Sequence, residues 1–320
     1  MSTETTTTLS NVVKTSYNRT LLENLHANLV FGLFGDPGRT ITLPNGTTQV
    51  EFRRWADLAA ATTPLTESVT PVGDNHTVTV VTATTSQYGS YITYSDVLDM
   101  QSLDPFVSTT MEMQGQQAGE TLDQVSRNVL VAGTNVQYAG AVAGRSSVAS
   151  SNKLTVAELK KAAKTLKAAN VPRINGYYHC YAHPNAISDL MLDPEFILTS
   201  QHNGAQALYT GEVGTYFGFK FFETTNAKVF TAAGASSIDV YATIVHGMHW
   251  FGTIKYMDNT GGQKVPTAQG NFMVEMFMHP PGSAGSNDPL NQRGTIGWKA
   301  SHAIKILNQT CGLRIEHAVS

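Results

Sequence analysis

Residues 104–133, DPFVSTTMEMQGQQAGETLDQVSRNVLVAG, predict one long α-helix. Asp104 and Pro105 are typical of an N-cap followed by proline at the first helical position, and Gly133 provides a stop. The helix would be roughly 43 Å long. Because Gly115 and Gly119 lower its intrinsic stability, we expect packing to hold its apolar face, and the two glycines argue against a coiled coil. Apolar residues recur mostly three and four positions apart, with a gap at Gly115: Val107, Met111, Ala118, Leu122, Val125, Val129 and Ala132.

The segment before this helix predicts two extended stretches joined by a long loop. Residues 50–55 (VEFRRW) alternate apolar and polar side chains, which is typical of a strand. Residues 77–94 are rich in Val, Thr, Tyr and Ile and predict an extended segment, with a bulge at Gly89. Between them, residues 56–76 contain two prolines and a glycine and predict no regular structure. A loop of about 20 residues is uncommon in a compact domain unless it has a function, often contact with another molecule.

The N-terminal region predicts an arm rather than a domain. Residues 1–16 are polar and Thr-rich, and we expect a mobile end. Residues 17–34 place leucines four positions apart, which predicts a short helix that the Gly and Pro residues at 35–38 end.

The region after the long helix predicts an α+β unit. Residues 134–153 are small and polar and predict a loop, and a capping box of Thr155 and Glu158 predicts a helix to Asn170. Strand-like runs at 177–182, 216–223 and 238–246 alternate with a short helix near Pro184. The last strand-like runs, 295–307 and 313–319, are expected to pair with the sheet beside the long helix.

Composition points to a protein that covers much of its surface with partners. Charged residues make up 14% of the 320 residues, against a usual share of about 25%. The 21 basic and 24 acidic residues give a net charge of −3, which disfavours tight binding of nucleic acid through phosphates. Cys180 and Cys311 form no CxxC motif, and we expect two buried thiols in a reducing cytoplasm. A disulfide between the two cysteines is the alternative. No run approaches the ~18 apolar residues of a membrane span, and the N-terminus lacks a signal-peptide pattern.

No motif for catalysis or cofactor binding occurs, so we expect no catalytic residue, metal or cofactor. Neither a nucleotide-binding loop nor a GxSxG or HExxH motif is present. His179 and His183 lie four positions apart, and on a strand they would stand ~13 Å apart, too far to share a metal ion. His246 and His249 have no nearby carboxylate to complete a site, so structural roles are expected. The acidic pairs show no spacing that singles out an acid and a base.

Arg53, Arg54 and Trp55 are candidate contacts with a neighbouring molecule. A cationic-aromatic patch for nucleic acid is one interpretation, but neighbouring residues of a strand face opposite sides, which would split the patch. Arg and Trp are favoured at protein interfaces. We therefore predict inter-subunit contacts by these three residues and, in the loop, by Leu65 and Glu67.

The chain closely resembles the major capsid proteins of the phage-N4 type, which belong to the HK97-like capsid superfamily. Each matching stretch is weak alone, but seven occur in the correct order through residues 17–224. They are YNRTLLENLHANLVFGLFG (17–35), VEFRRW (50–55), ATTPLTESVTPVG (61–73), SQYGSYITYSDVLD (86–99), GQQAGETLDQVSRNVLVAGTNVQYA (115–139), AHPNAISDLMLDPEF (182–196) and YTGEVGTYFGFKFFET (209–224).

The resemblance implies an α+β, HK97-like capsid fold in five parts. Residues 1–49 would form the N-terminal arm, and 50–103 the strands with the extended E-loop. Residues 104–153 would hold the spine helix of the peripheral domain, 154–280 the axial domain, and 281–320 the strands that return to the peripheral domain.

The resemblance also implies a function: a virion shell that self-assembles from hexamers and pentamers in the host bacterial cytoplasm. Implied partners are other copies of the chain, the portal, separate scaffolding or decoration proteins, and packaged double-stranded DNA contacted non-specifically. Membranes are not among them. Two alternatives stay open: another virion component, such as a tail tube or decoration protein, and a metal-dependent hydrolase.

Overall fold

The computed structural model describes residues 30–31, 40–43, 49–56, 58–70, 73–102, 106–196, 215–256, 273–283 and 288–320. The mobile end predicted for 1–16, most of the helix predicted for 17–34, and the N-cap at Asp104 and Pro105 lie outside these residues. The described elements, in chain order, are β1 (Thr40–Leu43), β2 (Gln49–Trp55), β3 (Val78–Thr84), β4 (Ser86–Ser95), α1 (Asp96–Gln101), α2 (Phe106–Val131), β5 (Val136–Tyr138), α3 (Val156–Ala168), β6 (Tyr178–Ala182), α4 (Pro184–Met191), β7 (Thr215–Tyr216), β8 (Phe219–Glu223), β9 (Val229–Phe230), β10 (Val240–His246), β11 (Phe251–Tyr256), β12 (Met273–His279), β13 (Arg293–His302), β14 (Ile304–Ile306) and β15 (Gly312–His317).

Within the described ranges, the strands form four sheets. The main sheet has the order β5-β15-β10-β6-β8-β7, with β9 paired to β10. The helix-backed sheet has the order β12-β13-β4, and a small sheet has the order β1-β11-β14. Strands β2 and β3 pair with each other. This arrangement confirms the mixed α+β class predicted from the sequence.

The predicted long helix is present as α2, and its apolar face packs on the helix-backed sheet. Ala118 and Leu122 are fully buried against Trp298 and Ala300 of β13. Gly115, where the apolar pattern has its gap, is itself buried on the same face.

The predicted face was wrong in its C-terminal half. Val125 is only half-buried and Ala132 is exposed. At 3.6 residues per turn, Ser126 follows Leu122 on the buried stripe more closely than Val125 does. Ser126 and Asp123 are both fully buried, so the face continues through polar residues that an apolar pattern does not reveal.

Residues 77–94 form two strands in different sheets rather than one bulged segment. Strands β4 and β13 pair without interruption from Ser95↔Arg293 to Ser86↔His302, so the predicted bulge at Gly89 is wrong. A Cβ at Gly89 would come within 2.6 Å of the Trp298 carbonyl oxygen. The glycine therefore allows a close approach of two backbones.

The main sheet, with helices α3 and α4, forms the largest core among the described residues. Leu159 and Leu166 of α3, Leu190 of α4 and the strand residues Ile244 and Ile315 are all buried in this one cluster. The predicted helix at 155–170 and the predicted strands at 177–182 and 238–246 are confirmed, as is the helix near Pro184. These elements make up the α+β unit that the sequence predicted.

The predicted capping box of α3 is wrong. Thr155 occupies the N-cap position, but its side chain makes no capping hydrogen bond. The Val156 N–H instead donates to the Asp193 carboxylate at 3.0 Å. Glu158 is buried and accepts hydrogen bonds from Gln137 Nε2 and Lys161 Nζ, each at 2.7 Å. A tertiary contact has thus replaced the local one.

The final strand belongs to a different sheet from the one predicted. Strand β13 pairs beside α2 as expected, but β15 pairs with β10 and with β5 in the main sheet. Strand β5 comes from the segment predicted to be only a loop. The Glu316 carboxylate is fully buried and accepts hydrogen bonds at 2.7 Å from Arg145 and Arg314, which fixes β15 in the interior.

The two cysteines are buried, unpaired thiols, which confirms the interpretation made from their spacing. Burial raises the pKa of Cys180, so its thiol stays protonated. Across the described ranges, no helix has both the length and the apolar character that a membrane span requires.

Candidate assembly interface

Strands β2 and β3 form a two-stranded arm, residues 49–84, whose tip is a long loop. Their antiparallel register runs from Gln49↔Thr84 to Trp55↔Val78, and the Ala56 N–H donates to the Thr77 carbonyl at 2.9 Å beyond it. Residues 56–77 therefore form one connection, the arm loop. Its described residues include no helix or strand, which confirms the loop predicted for 56–76.

The base of the arm is anchored in the body of the protein. Val50 and Phe52 of β2 and Ala83 of β3 are buried. They pack against Ile254 of β11 and Ala303, with Val81 and Leu307 at the margin of the cluster. One face of the arm is thus held by a small apolar core, which fixes the direction in which the outer part of the arm extends.

The opposite face of the arm is exposed, with apolar side chains toward its tip and the polar residues Gln49, Glu51, Thr82 and Thr84 toward its base. Trp55 lies across from Val78, and Arg53 lies across from Val80, so these four residues share the outer face. Trp55, Val78 and Val80 expose 63%, 38% and 48% of their surfaces. A two-stranded hairpin is only marginally stable by itself in water, so such a face favours a partner that covers it.

The arm loop continues this exposed apolar surface. Leu58, Leu65 and Val69 expose 53%, 79% and 61% of their surfaces. A turn at 66–69 is closed by a hydrogen bond of 3.2 Å from the Val69 N–H to the Thr66 carbonyl. These three apolar side chains thus lie in solvent rather than against the body of the protein.

The structure places all five predicted contact residues on the arm but does not gather them into one patch. Arg53 and Trp55 share the outer face, and the Trp55 ring meets the His76 ring edge-on at 5.6 Å. Arg54 lies on the inner face, where its charge lowers the pKa of Cys311 against the larger, raising effect of burial. Leu65 and Glu67 are both exposed in the arm loop. Sequence reasoning missed Val78 and Val80, which only the register adds to the outer face.

Of the four candidate histidines, His179 and His246 pack in the core of the main sheet, whereas His183 and His249 are half-buried. The His246 ring stacks on Tyr181 and Trp250, and the His179 ring lies 5.4 Å from it. His183 is the N-cap residue of α4, and its side chain accepts a hydrogen bond from the Asn185 N–H. In the described part of the chain, no three His, Cys, Asp or Glu side chains are grouped as a metal ion would require.

The comparison with protein families identifies the class of protein that carries this arm. A sequence model of the family described as phage capsid protein matches residues 41–250, well over half of the chain. The chain belongs to the phage capsid protein family. A search of curated proteins found no match.

Solved capsid structures share the fold of this capsid protein. The match to the capsid structure of the cyanophage P-SCSP1u has a TM-score of 0.65 at 15% identity, and it covers 88% of this chain and 86% of that chain. The capsid of Ralstonia phage GP4 has a TM-score of 0.66 at 12% identity over 88% and 87%. The head structure of Helicobacter pylori bacteriophage KHP40 has a TM-score of 0.64 at 11% identity over 88% and 87%. The fold is the HK97-like capsid fold that the sequence resemblance implied.

A second apolar surface of this capsid protein was missed in the sequence. On the face of the helix-backed sheet turned away from α2, Tyr91 and Phe277 are exposed by 72% and 41%. Gly297 lies between them, and Gly89 lies two residues before Tyr91 on β4; all four residues line a cavity of about 450 Å³. The alternation of β4 could have indicated this face, but the pairing that aligns it with β12 and β13 spans about 200 residues.

Proposed function

We propose that this protein is the major capsid protein of a tailed phage of the phage-N4 type. It self-assembles through hexamers and pentamers into the icosahedral shell that encloses double-stranded DNA. The observation that carries this proposal is the arm, a hairpin anchored at its base. Its own subunit leaves exposed the apolar side chains near the tip of its outer face and in its loop. A family of capsid proteins and three solved capsids of the same fold support it.

The arm suits assembly in rings. Each subunit of a ring presents one patch to a neighbour and receives a different one, so an arm can reach out while another surface receives. Many such contacts, each weak alone, become strong through their multiplicity in a closed shell. Within this arrangement all five predicted residues contact neighbouring subunits: Arg53, Arg54, Trp55, Leu65 and Glu67.

The five parts implied by the resemblance become structural roles in this proposal. Residues 1–49 act as the N-terminal arm, and 50–103 hold the E-loop, which corresponds to the β2–β3 arm and its loop. Helix α2 within 104–153 is the spine helix of the peripheral domain, and 154–280 form the axial domain. Of the returning segment 281–320, β13 and β14 lie beside the spine helix, whereas β15 pairs in the main sheet.

The remaining roles follow from a structural shell subunit. It catalyses no reaction and assembles in the host bacterial cytoplasm with a portal and with separate scaffolding or decoration proteins. Its net charge of −3 suits a container that contacts packaged DNA non-specifically.

Electron microscopy and sedimentation of the purified full chain test the proposal. Closed shells, or rings of six and five subunits, are expected. Long tubes would favour a tail-tube protein instead, and particles that stay at 34.5 kDa across concentrations would contradict self-assembly.

A further inference from the structure

Three basic side chains surround one aromatic ring near the C-terminal end of α2. The guanidinium carbon of Arg145 lies 3.4 Å from the centre of the Phe230 ring, and that of Arg314 lies 6.0 Å from it. The ammonium of Lys228 lies 5.9 Å from the same ring. Arg145 follows β5, Lys228 precedes β9 and Arg314 belongs to β15, so the fold brings three positive charges from distant parts of the chain to one place.

The two guanidinium groups are held in place by hydrogen bonds. Arg145 donates from Nε and Nη2 to the buried Glu316 carboxylate, and Arg314 donates to it from Nε, each at 2.7 Å. Arg314 Nη1 also donates to the carbonyls of Val131 and Gly133 at the end of α2. Among the described residues, no partner is bound to the remaining terminal nitrogens, Arg145 Nη1 and Arg314 Nη2.

The charges of this cluster do not balance. Among the described residues, Glu316 is the only acidic side chain that forms an ion pair with Arg145 or Arg314, and Lys228 forms none. Three cations and one carboxylate leave two positive charges without a partner. All three basic residues are half-buried, so their charges are less well screened by water than charges on an open surface.

A cavity of about 550 Å³ is lined by Arg145, Lys228, Arg314 and Phe230. This volume lies in the range of small-ligand sites, about 300–1,000 Å³. The unused donors are two guanidinium nitrogens and one ammonium, which are the groups that proteins use to bind phosphate oxygens. A phosphate group carries about one to two negative charges near neutral pH, which matches the excess of positive charge. Because Glu316 already fixes both guanidinium groups, little side-chain freedom would be lost on binding.

We propose that Arg145, Lys228 and Arg314 form a phosphate-binding site in this cavity. The ligand is a phosphate group, supplied by free phosphate or by the backbone of double-stranded DNA, since both present the same oxygens. The inference does not rest on shell formation, because all of the lining side chains belong to one subunit.

Calorimetric titration of the full chain with sodium phosphate, at constant ionic strength, tests the site. Saturable binding is expected. Lys228→Met keeps the apolar stem but removes the charge, and it should weaken binding at least ~10-fold through the loss of one charge-assisted hydrogen bond. Lys228→Arg restores the charge and should bind phosphate as the unmodified chain does. Lys220→Met is the matched control, because the Lys220 ammonium also lies near an aromatic ring, 5.5 Å from the centre of Phe222, but on the exposed side of β8.

The same titration with a short DNA duplex distinguishes the two sources of phosphate. Duplex binding that Lys228→Met weakens and Lys220→Met does not would assign the site to the DNA backbone. Binding of inorganic phosphate alone, with the same dependence on Lys228, would assign it to free phosphate. Circular dichroism of each variant shows that the fold is kept. Binding of neither probe to the unmodified chain would overturn the proposal, as would an equal effect of Lys228→Met and Lys220→Met.

Discussion

The arm loop offers a perturbation that separates folding from assembly. Residues 66–73 would be deleted and the ends joined by a Gly-Ser dipeptide, which shortens the loop while β2 and β3 remain intact. If the loop is a contact between subunits, the variant should fold normally and fail to form shells.

The expected cost to folding is small. The connection between β2 and β3 shortens from about 22 to about 16 residues, which changes the closure entropy by only ~0.3 kcal/mol, in favour of the folded state. The deletion removes the hydrogen bond of the turn at 66–69, worth about 1 kcal/mol. Val69 is 61% exposed, so its removal opens no large cavity. The free energy of unfolding should therefore change by less than ~1 kcal/mol.

The expected cost to assembly is larger. The deletion removes Val69 and displaces Leu65, which is 79% exposed in the subunit. Burial of such a side chain at an interface contributes about 1.5–3 kcal/mol, so two of them change the equilibrium constant of each contact by roughly 10²- to 10⁴-fold. Since each subunit of a shell makes this contact, the losses multiply through the assembly.

Circular dichroism and sedimentation of the same preparation measure both effects. A native spectrum without shells supports the reasoning. The double substitution Leu65→Ser and Val69→Ser keeps the loop length, so its failure to assemble would assign the effect to the apolar side chains. Normal shells from the deletion variant would remove the loop from the mechanism. An unfolded subunit would show that the loop belongs to the core.

Three further predictions address the core, its response to pH and the outer face of the arm. Leu122→Asp places a charge in a fully buried position at a cost of several kcal/mol, so it should abolish soluble expression. Met113 is 63% exposed on the same helix, so the control Met113→Asp should remain soluble. A soluble, assembling Leu122→Asp protein would show that the buried face of the helix is wrongly assigned. Burial holds the pKa of His302 and His317 at about 4 against an ordinary 6.5, so between these pH values the unfolded chain binds more protons than the folded chain. The free energy of unfolding should therefore fall below pH 6.5, by ~2 kcal/mol per histidine at pH 5. Chemical denaturation of His317→Gln should show a free energy of unfolding that depends less steeply on pH. Trp55→Ala should change the free energy of unfolding by less than ~0.5 kcal/mol and still reduce assembly in sedimentation, and unaltered assembly would exclude Trp55 as an anchor.

Local signals predicted the elements whose causes are local. The Pro and Gly residues around the long helix and its apolar spacing were enough to predict α2, and alternation was enough for β2. The capping box at Thr155 failed for the opposite reason. Glu158 could have bonded the N-cap, but Gln137, 21 positions earlier, binds its carboxylate in the folded chain. A short motif states which local bond is possible, and tertiary contacts decide whether it forms.

The pairing of distant strands could not be predicted from pattern alone. Strand β15 carries the same kind of apolar alternation as β13, so both were assigned to the sheet beside α2. What separates them is the buried Glu316, whose two arginine partners lie on β15 itself and 171 positions earlier. An acidic residue within a strand gives no indication of which distant cation will neutralise it.

The same limit explains why the candidate interface was only partly predicted. Val50, Phe52 and Ala83 are buried against the body, while Val78 and Val80 of the same arm are exposed, yet all five are apolar strand residues in the sequence. A sequence records that a side chain avoids water but not whether its own subunit or a neighbour covers it. The low share of charged residues, 14%, indicated that such surfaces exist, and the register of β2 with β3 indicates where one of them lies. In the proposed shell, contacts between subunits would use the apolar positions that the fold of one subunit leaves uncovered.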